Sequence, residues 1–178
     1  MKEEKKLLGE NRRTRLLQLL KESPNPITGS ELARLANVSR QIIVGDITLL
    51  KARNEPIIAT SQGYLYFSSP ASPQVSERII ACQHEPEEAK DELYMLVDLG
   101  ATVKDVKIEH PVYGDLTASI MVSNRNEVDG FLHKVQETRA VYLSEMTGGI
   151  HLHTITAANA DILDKAEAAL RKAGYLVE

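Results

Sequence analysis

Cysteine is nearly absent from this chain: Cys82 is the one example in 178 residues. A lone cysteine excludes an internal disulfide and disfavours a closed zinc site built from thiolates, and within RIIACQ it reads as a small buried strand residue. No run approaches the ~18 consecutive apolar residues of a membrane span. The opening MKEEKKLLGE mixes charges around no apolar core, which argues against a secretory signal. The expectation is a cytoplasmic protein with no membrane partner. Internal repeats and low-complexity tracts are missing as well.

Net charge is −4 over the whole chain, which by itself speaks against nucleic acid, but the mean conceals an asymmetry. Residues 1–68 hold 11 Lys and Arg against 7 Asp and Glu, whereas residues 69–178 hold 10 against 18. A basic first third and an acidic remainder suggest one module that meets a polyanion and another with a different task. The sign changes at SSPASPQ, which has two prolines and no bulky apolar residue. This stretch marks a linker over 69–74 between domains at 1–68 and 75–178.

In the first domain, Leu16, Leu17, Leu19 and Leu20 recur at helical spacing until Pro24 and Pro26 stop the run. Thr28 with Glu31 opens a second helix through a capping-box pattern, and Asn37 ends it. Ser39 is an N-cap for RQIIVGDITLLKAR, whose Ile42, Ile43, Ile47 and Leu50 repeat with helical period. Two helices joined by about three residues make a helix-turn-helix. PIIATSQGYLYFS adds two β-runs around a Ser-Gln-Gly turn, the hairpin of a winged helix. In a winged helix-turn-helix the helix from Ser39 would enter the major groove by its N-terminal end, the other reading of this domain being a small helical protein-interaction module. There Ser39, Arg40 and Gln41 face bases or phosphates, Val44 and Thr48 lie on the same outward side, and Lys51, Arg53, Arg12 and Arg13 are candidates for phosphate contacts. Gly45 costs the helix ~1 kcal/mol relative to Ala.

The second domain reads as strand SERIIACQ, helix PEEAKDELYMLVDLG, strands TVKDVKIEH and LTASIMV, helix NEVDGFLHKVQE, strands AVYLSEM and IHLHTIT, and helix DILDKAEAALRKAG. YLVE offers a further short strand. The predicted fold is α+β, with helices packed on a mainly antiparallel sheet. On a strand, His151 and His153 point to one side while Leu152 alternates with them. Such a pair is met more often on a half-exposed strand than in a ligand set, so its meaning depends on partners elsewhere.

SELARLANVSRQIIVGDITLLKAR resembles the recognition region of winged-helix repressors of the HTH-11 type, and HEPEEAKDEL, EHPVYGDL and GGIHLHTI follow in the order seen in the three-histidine (3H) domain of NiaR-type niacin-responsive repressors. The resemblance covers nearly the whole chain. It implies a repressor and not an enzyme, active on operator DNA as a homodimer, with nicotinic acid as effector and NAD biosynthesis or niacin uptake genes as targets. It also implies a divalent metal, zinc or nickel, held by His84, Glu92, His151 and His153, a donor set that suits such borderline ions. His110 and Tyr113 are raised by the same resemblance as contacts to the effector, beside a turn-stabilising role for His110.

Eight helical residues span ~12 Å. His84 must therefore lie before its helix and fold back toward Glu92, and Glu88 is a rival on geometry alone. His133 reads as a helix-surface residue. Two alternatives remain from the sequence: a repressor for which the metal is itself the signal, and a small metal-dependent hydrolase fused to a DNA-binding domain. Against the latter, a barrel of the amidohydrolase type needs ~200 or more residues.

Overall fold

The computed structural model describes residues 9–67 and 75–177, and the chain divides into compact units at 1–70 and 71–178. The linker placed at 69–74 lies outside the described residues.

In the first unit, α1 (Gly9–Glu22), α2 (Gly29–Ala36) and α3 (Arg40–Ala52) precede a hairpin of β1 (Ile57–Thr60) and β2 (Gly63–Tyr66). Leu16 and Leu20 of α1, Leu32 and Ala36 of α2, and Ile43, Ile47 and Leu50 of α3 repeat at three- and four-residue spacing and form one buried cluster. Both expected N-caps are made: Thr28 Oγ1 accepts from Glu31 N–H at 3.1 Å, and Ser39 Oγ from Ile42 N–H at 3.4 Å. Asn37 adopts the left-handed conformation that closes α2. At the hairpin, Gly63 has φ +140°, and a Cβ there would lie 2.5 Å from the Ile27 carbonyl oxygen. That approach lets Ile27 and Tyr64 exchange backbone hydrogen bonds, tying the wing to the segment ahead of α2.

One expected DNA contact is corrected here. Arg12 is buried, and its guanidinium forks onto the buried Asp46 carboxylate on α3 at 2.5 and 3.2 Å, so it is withdrawn from any phosphate. Arg13 also reaches Asp46, and both Arg13 and Arg53 pair with Glu10. The α1–α3 packing therefore rests on an ion pair under the leucine seam. Asp46→Ala would strand a buried guanidinium, and we expect a loss of about 3–5 kcal/mol, read as a lower urea midpoint for unfolding of the first unit.

The second unit runs β3 (Ser76–Gln83), a short 3-10 turn Pro86–Glu88, α4 (Ala89–Asp98), β4 (Thr102–His110), β5 (Gly114–Val122), α5 (Arg125–Thr138), a 3-10 helix Leu143–Thr147, β6 (Ile150–Ala157) and α6 (Ala160–Ala173). Its strands lie in the order β3-β6-β4-β5, and every pairing is antiparallel. The α+β architecture read from the sequence is the one observed. Strand alternation turns Ile80 and Cys82 of β3, Ile155 and Ala157 of β6, and Ile120 and Val122 of β5 into one core. Leu93, Leu96 and Val97 of α4, Val128 and Leu132 of α5, and Leu163, Ala166 and Leu170 of α6 complete it. On the opposite side Ile79 and Leu152 remain open to solvent.

AVYLSEM is not a strand. Tyr142 N–H donates to the Glu145 carboxylate at 2.8 Å and the Thr147 hydroxyl bonds back to Ser144, so local caps coil Leu143–Thr147 into a 3-10 helix. Within YLVE, Leu176 forms an isolated bridge to Cys82 along the outer edge of β3.

Candidate metal centre

The four residues expected to hold a metal come from three places in the chain and meet inside the second unit. His84 follows directly after β3, and the Pro86–Glu88 turn reverses the chain so that Glu92, in the first turn of α4, comes back against it. That turn uses the rival carboxylate: Glu88 accepts from Glu85 N–H at 3.0 Å as a cap. Glu92 shares the inward face of α4 with Ala89, Leu93 and Leu96 and is 1% exposed. His151 and His153 project from β6, the strand paired on both sides by β3 and β4. Gly149, at φ +89°, brings the 150s strand so close that a Cβ there would lie 2.5 Å from the His84 carbonyl oxygen.

Glu92 Oε2 is the hub. It lies 2.8 Å from His84 Nε2, 3.2 Å from His153 Nε2 and 3.4 Å from His151 Nε2. Each imidazole is held from behind by its other nitrogen: His84 Nδ1 donates to Glu85 O at 2.8 Å, His151 Nδ1 to Gly149 O at 2.8 Å, and His153 Nδ1 to Asp105 O at 2.7 Å. A carbonyl oxygen only accepts, so Nδ1 carries a proton in all three rings and Nε2 is turned inward: it is a bare lone pair where the ring is neutral and a donor to Glu92 only where the ring is charged. Three such lone pairs and a carboxylate repel one another unless a cation stands among them. Glu92 Oε1 is buried with no hydrogen-bond partner, which deepens the need.

The donor set fits a divalent transition ion: three imidazole nitrogens and one carboxylate suit zinc or nickel, and the backbone carbonyls behind the rings are the outer support that such ligands require. Without a metal, protons fill the role. Burial disfavours a charge on His84 and His153, yet their hydrogen bonds to Glu92 and its negative charge prevail and raise both above the ordinary imidazole value. Burial likewise opposes the Glu92 carboxylate, but the charge of His153 and the three imidazole hydrogen bonds hold it well below the ordinary range.

From the four ligand candidates an apolar cavity of about 210 Å³ opens between sheet and helices, walled by Val106, Ile120, Phe131, Val135, Tyr142 and Leu143. No Lys or Arg lines it among the described residues. His110 and Tyr113 do not line it. They stack at 4.9 Å at the tip of the β4–β5 hairpin, where His110 Nδ1 accepts from Val112 and Tyr113 N–H and so holds the turn. Tyr113 is 73% exposed there. His133 is exposed on α5 beside Glu137.

Sequence reasoning missed Phe131 and Tyr142 as cavity walls. Phe131 lies one residue from the core position Leu132, and Tyr142 lay within the stretch misread as a strand. It also set Cys82 aside as packing, although β3 pairs that residue directly with His151. In the first unit, Ser39, Arg40 and Gln41 are exposed at the start of α3, Val44 is half-buried, and Thr48 and Lys51 are exposed further along it. Ser39 caps the helix, and Thr48 Oγ1 donates to Val44 O at 2.8 Å. Gly45 is exposed, with open space where a side chain would stand.

Two outcomes follow. In the metal-free protein, the raised imidazoles stabilise the fold fully below their ordinary 6.5, and this contribution is lost as pH rises through their higher folded values. Glu92 contributes above its ordinary 4.5 and loses that contribution as pH falls through its lower folded value. Thermal melts of chelator-treated protein should thus weaken above neutral pH, while zinc affinity over the same window rises because the ion displaces protons. Gly149→Ala forces a Cβ onto the His84 carbonyl, and we expect zinc affinity to fall about 10–100-fold in competition with a chromophoric chelator.

Comparison with known proteins identifies the family of the chain. The HTH domain family matches residues 12–65 and the 3H domain family residues 77–178. The transcription repressor NadR of Bacillus subtilis (strain 168) is 59% identical over 179 residues, covering 100% of this chain and 99% of that protein. The probable transcription repressor NiaR of Thermotoga maritima is 35% identical over 173 residues, or 97% of each chain. An uncharacterized protein of Methanothermus fervidus is 26% identical over 108 residues, 57% of this chain and 17% of that one. With an HTH match in the first unit, a 3H match in the second and full-length identity to both repressors, the chain belongs to the NadR/NiaR family of helix-turn-helix proteins with a 3H domain.

Proposed function

We propose that this protein is a transcription repressor that binds operator DNA as a homodimer and uses a divalent ion, zinc or nickel, to hold nicotinic acid as co-repressor, so controlling genes of NAD biosynthesis or niacin uptake. The relatives are named as transcription repressors, which are not enzymes, and that removes the hydrolase alternative. No helix among the described residues is long and apolar enough to cross a membrane. The exposed start of α3, with Arg40 and Gln41 leading and Lys51 behind, supports major-groove entry, and helix-turn-helix readers pair two half-sites.

The observation that carries the effector reading is the cavity. An apolar cavity of ~150 Å³ holds benzene. One of about 210 Å³ has room for a single ring bearing a small substituent. His84, Glu92, His151 and His153 form one wall and would hold the ion, which when bound supplies a positive charge and an open ligand position. With no Lys or Arg on the remaining walls, an anionic group is favoured only at the imidazole end. A small aromatic carboxylate matches both ends: its charge meets the ligand cluster and its ring lies against Phe131, Val106 and Ile120. A reading in which the metal alone is the signal leaves this cavity without an occupant.

Operator affinity measures the coupling. On duplexes that the zinc-loaded protein selects from a random pool, nicotinic acid should tighten binding by roughly 5–150-fold, the usual span of allosteric coupling, because it can shift the population only by its preference for the DNA-competent state. Nicotinamide, which lacks the charge, should leave the affinity unchanged. Unchanged affinity with nicotinic acid would overturn the proposal.

A further inference from the structure

We propose that Cys82 is a sulfur ligand of the same metal site, standing with Glu92 and His151 on the side of the cluster away from the cavity. The inference rests on the metal reading above and extends it to a residue type that reading did not include. Cys82 is opposite His151 in the β3–β6 ladder, and residues directly opposite in an antiparallel pair point to the same face. The thiol is therefore carried inward with the imidazole, and Cys82 is fully buried. One ligand atom each from Cys82, Glu92 and His151 lies within 4.8 Å of the other two. An ion between them has three donors in reach after a small inward adjustment.

A second observation points to the same place. Glu92 Oε2 is surrounded by imidazoles, whereas Oε1 of the same carboxylate, within a side chain 2% exposed, has no hydrogen bond of ordinary geometry, and the Cys82 thiol, which burial and the Glu92 charge keep protonated in the metal-free protein, lies beside that carboxylate. A buried carboxylate oxygen left without a donor is costly unless a cation or ligand completes it. His84, Glu92, His151 and His153 all line the cavity, and Cys82 does not. The sulfur would close the ion's rear and leave the cavity side free for the effector. A single buried cysteine among imidazoles and a carboxylate thus acquires a role that packing does not require.

The chemistry is coordination without redox change. The S–H bond breaks, a metal–sulfur bond forms, and the proton leaves to solvent. The consequence is selectivity: a thiolate in the set favours zinc, cobalt or nickel over the oxygen-seeking magnesium and manganese.

Full-length protein, stripped by chelator and loaded with cobalt(II), should show a sulfur-to-cobalt charge-transfer band in the near ultraviolet. Cys82→Ser should lose that band and keep the weaker visible ligand-field bands from the histidines. Zinc-edge X-ray absorption on the unaltered protein needs no variant and should find a sulfur neighbour at about 2.3 Å. Ligand-field bands without a charge-transfer band, together with a zinc shell of nitrogen and oxygen only, would overturn the cysteine role while leaving the metal reading in place. Failure of the unaltered protein to take up either ion would overturn both.

Discussion

Three hydrogen bonds from imidazole Nδ1 atoms to backbone carbonyls are the constraint on which this molecule turns. Each fixes a ring and its tautomer, and together they aim three Nε2 atoms at one buried carboxylate oxygen. The carbonyls belong to Glu85, Gly149 and Asp105, in the loop after β3, the turn before β6 and the body of β4. The cluster is thus a record of the tertiary fold, because its geometry exists only when those three segments are in register. A buried group of acceptors is unfavourable by itself, and a cation among them would tie the sheet to α4.

Topology explains why the site sits where it does. β6 runs between β3 and β4, so its inward residues are covered by neighbours on both sides and by helices above. Histidines on an edge strand would lack a covering neighbour on one side. The same layering leaves a gap where α5 and the 3-10 helix Leu143–Thr147 meet the sheet, and that gap is the cavity. The imidazole–carboxylate cluster and the apolar hollow share a wall, and the proposed effector reading rests on that arrangement.

Much of this was legible in the residues. Helical periods in α1, α3 and α6 and the caps at Thr28 and Ser39 are local signals, and local signals carried the helix-turn-helix. His151 and His153 were visible because strand alternation is strict. What escaped depended on distant partners. Nothing near Arg12 shows that Asp46, 34 residues on, will bury it. By spacing alone Glu88 and Glu92 share a helix face, and the Pro86–Glu88 turn, in which Glu88 caps Glu85, separates their roles. AVYLSEM is apolar enough to read as a strand, but the Glu145 side-chain cap closes Leu143–Thr147 into a 3-10 helix. Cys82 looks inert in RIIACQ until the ladder sets it opposite His151. His110 takes the turn-stabilising role that its sequence also allowed, in a hairpin away from the cavity.

The central claim is that the imidazole–carboxylate cluster and the apolar cavity form one ligand site whose charge is completed by a metal. Titration calorimetry with nicotinic acid on zinc-loaded and chelator-stripped protein tests it most directly. The account predicts saturable binding to the loaded protein, loss of that binding on stripping or in His151→Ala/His153→Ala, and no binding of nicotinamide in either state. Equal binding of nicotinic acid with and without metal would contradict it.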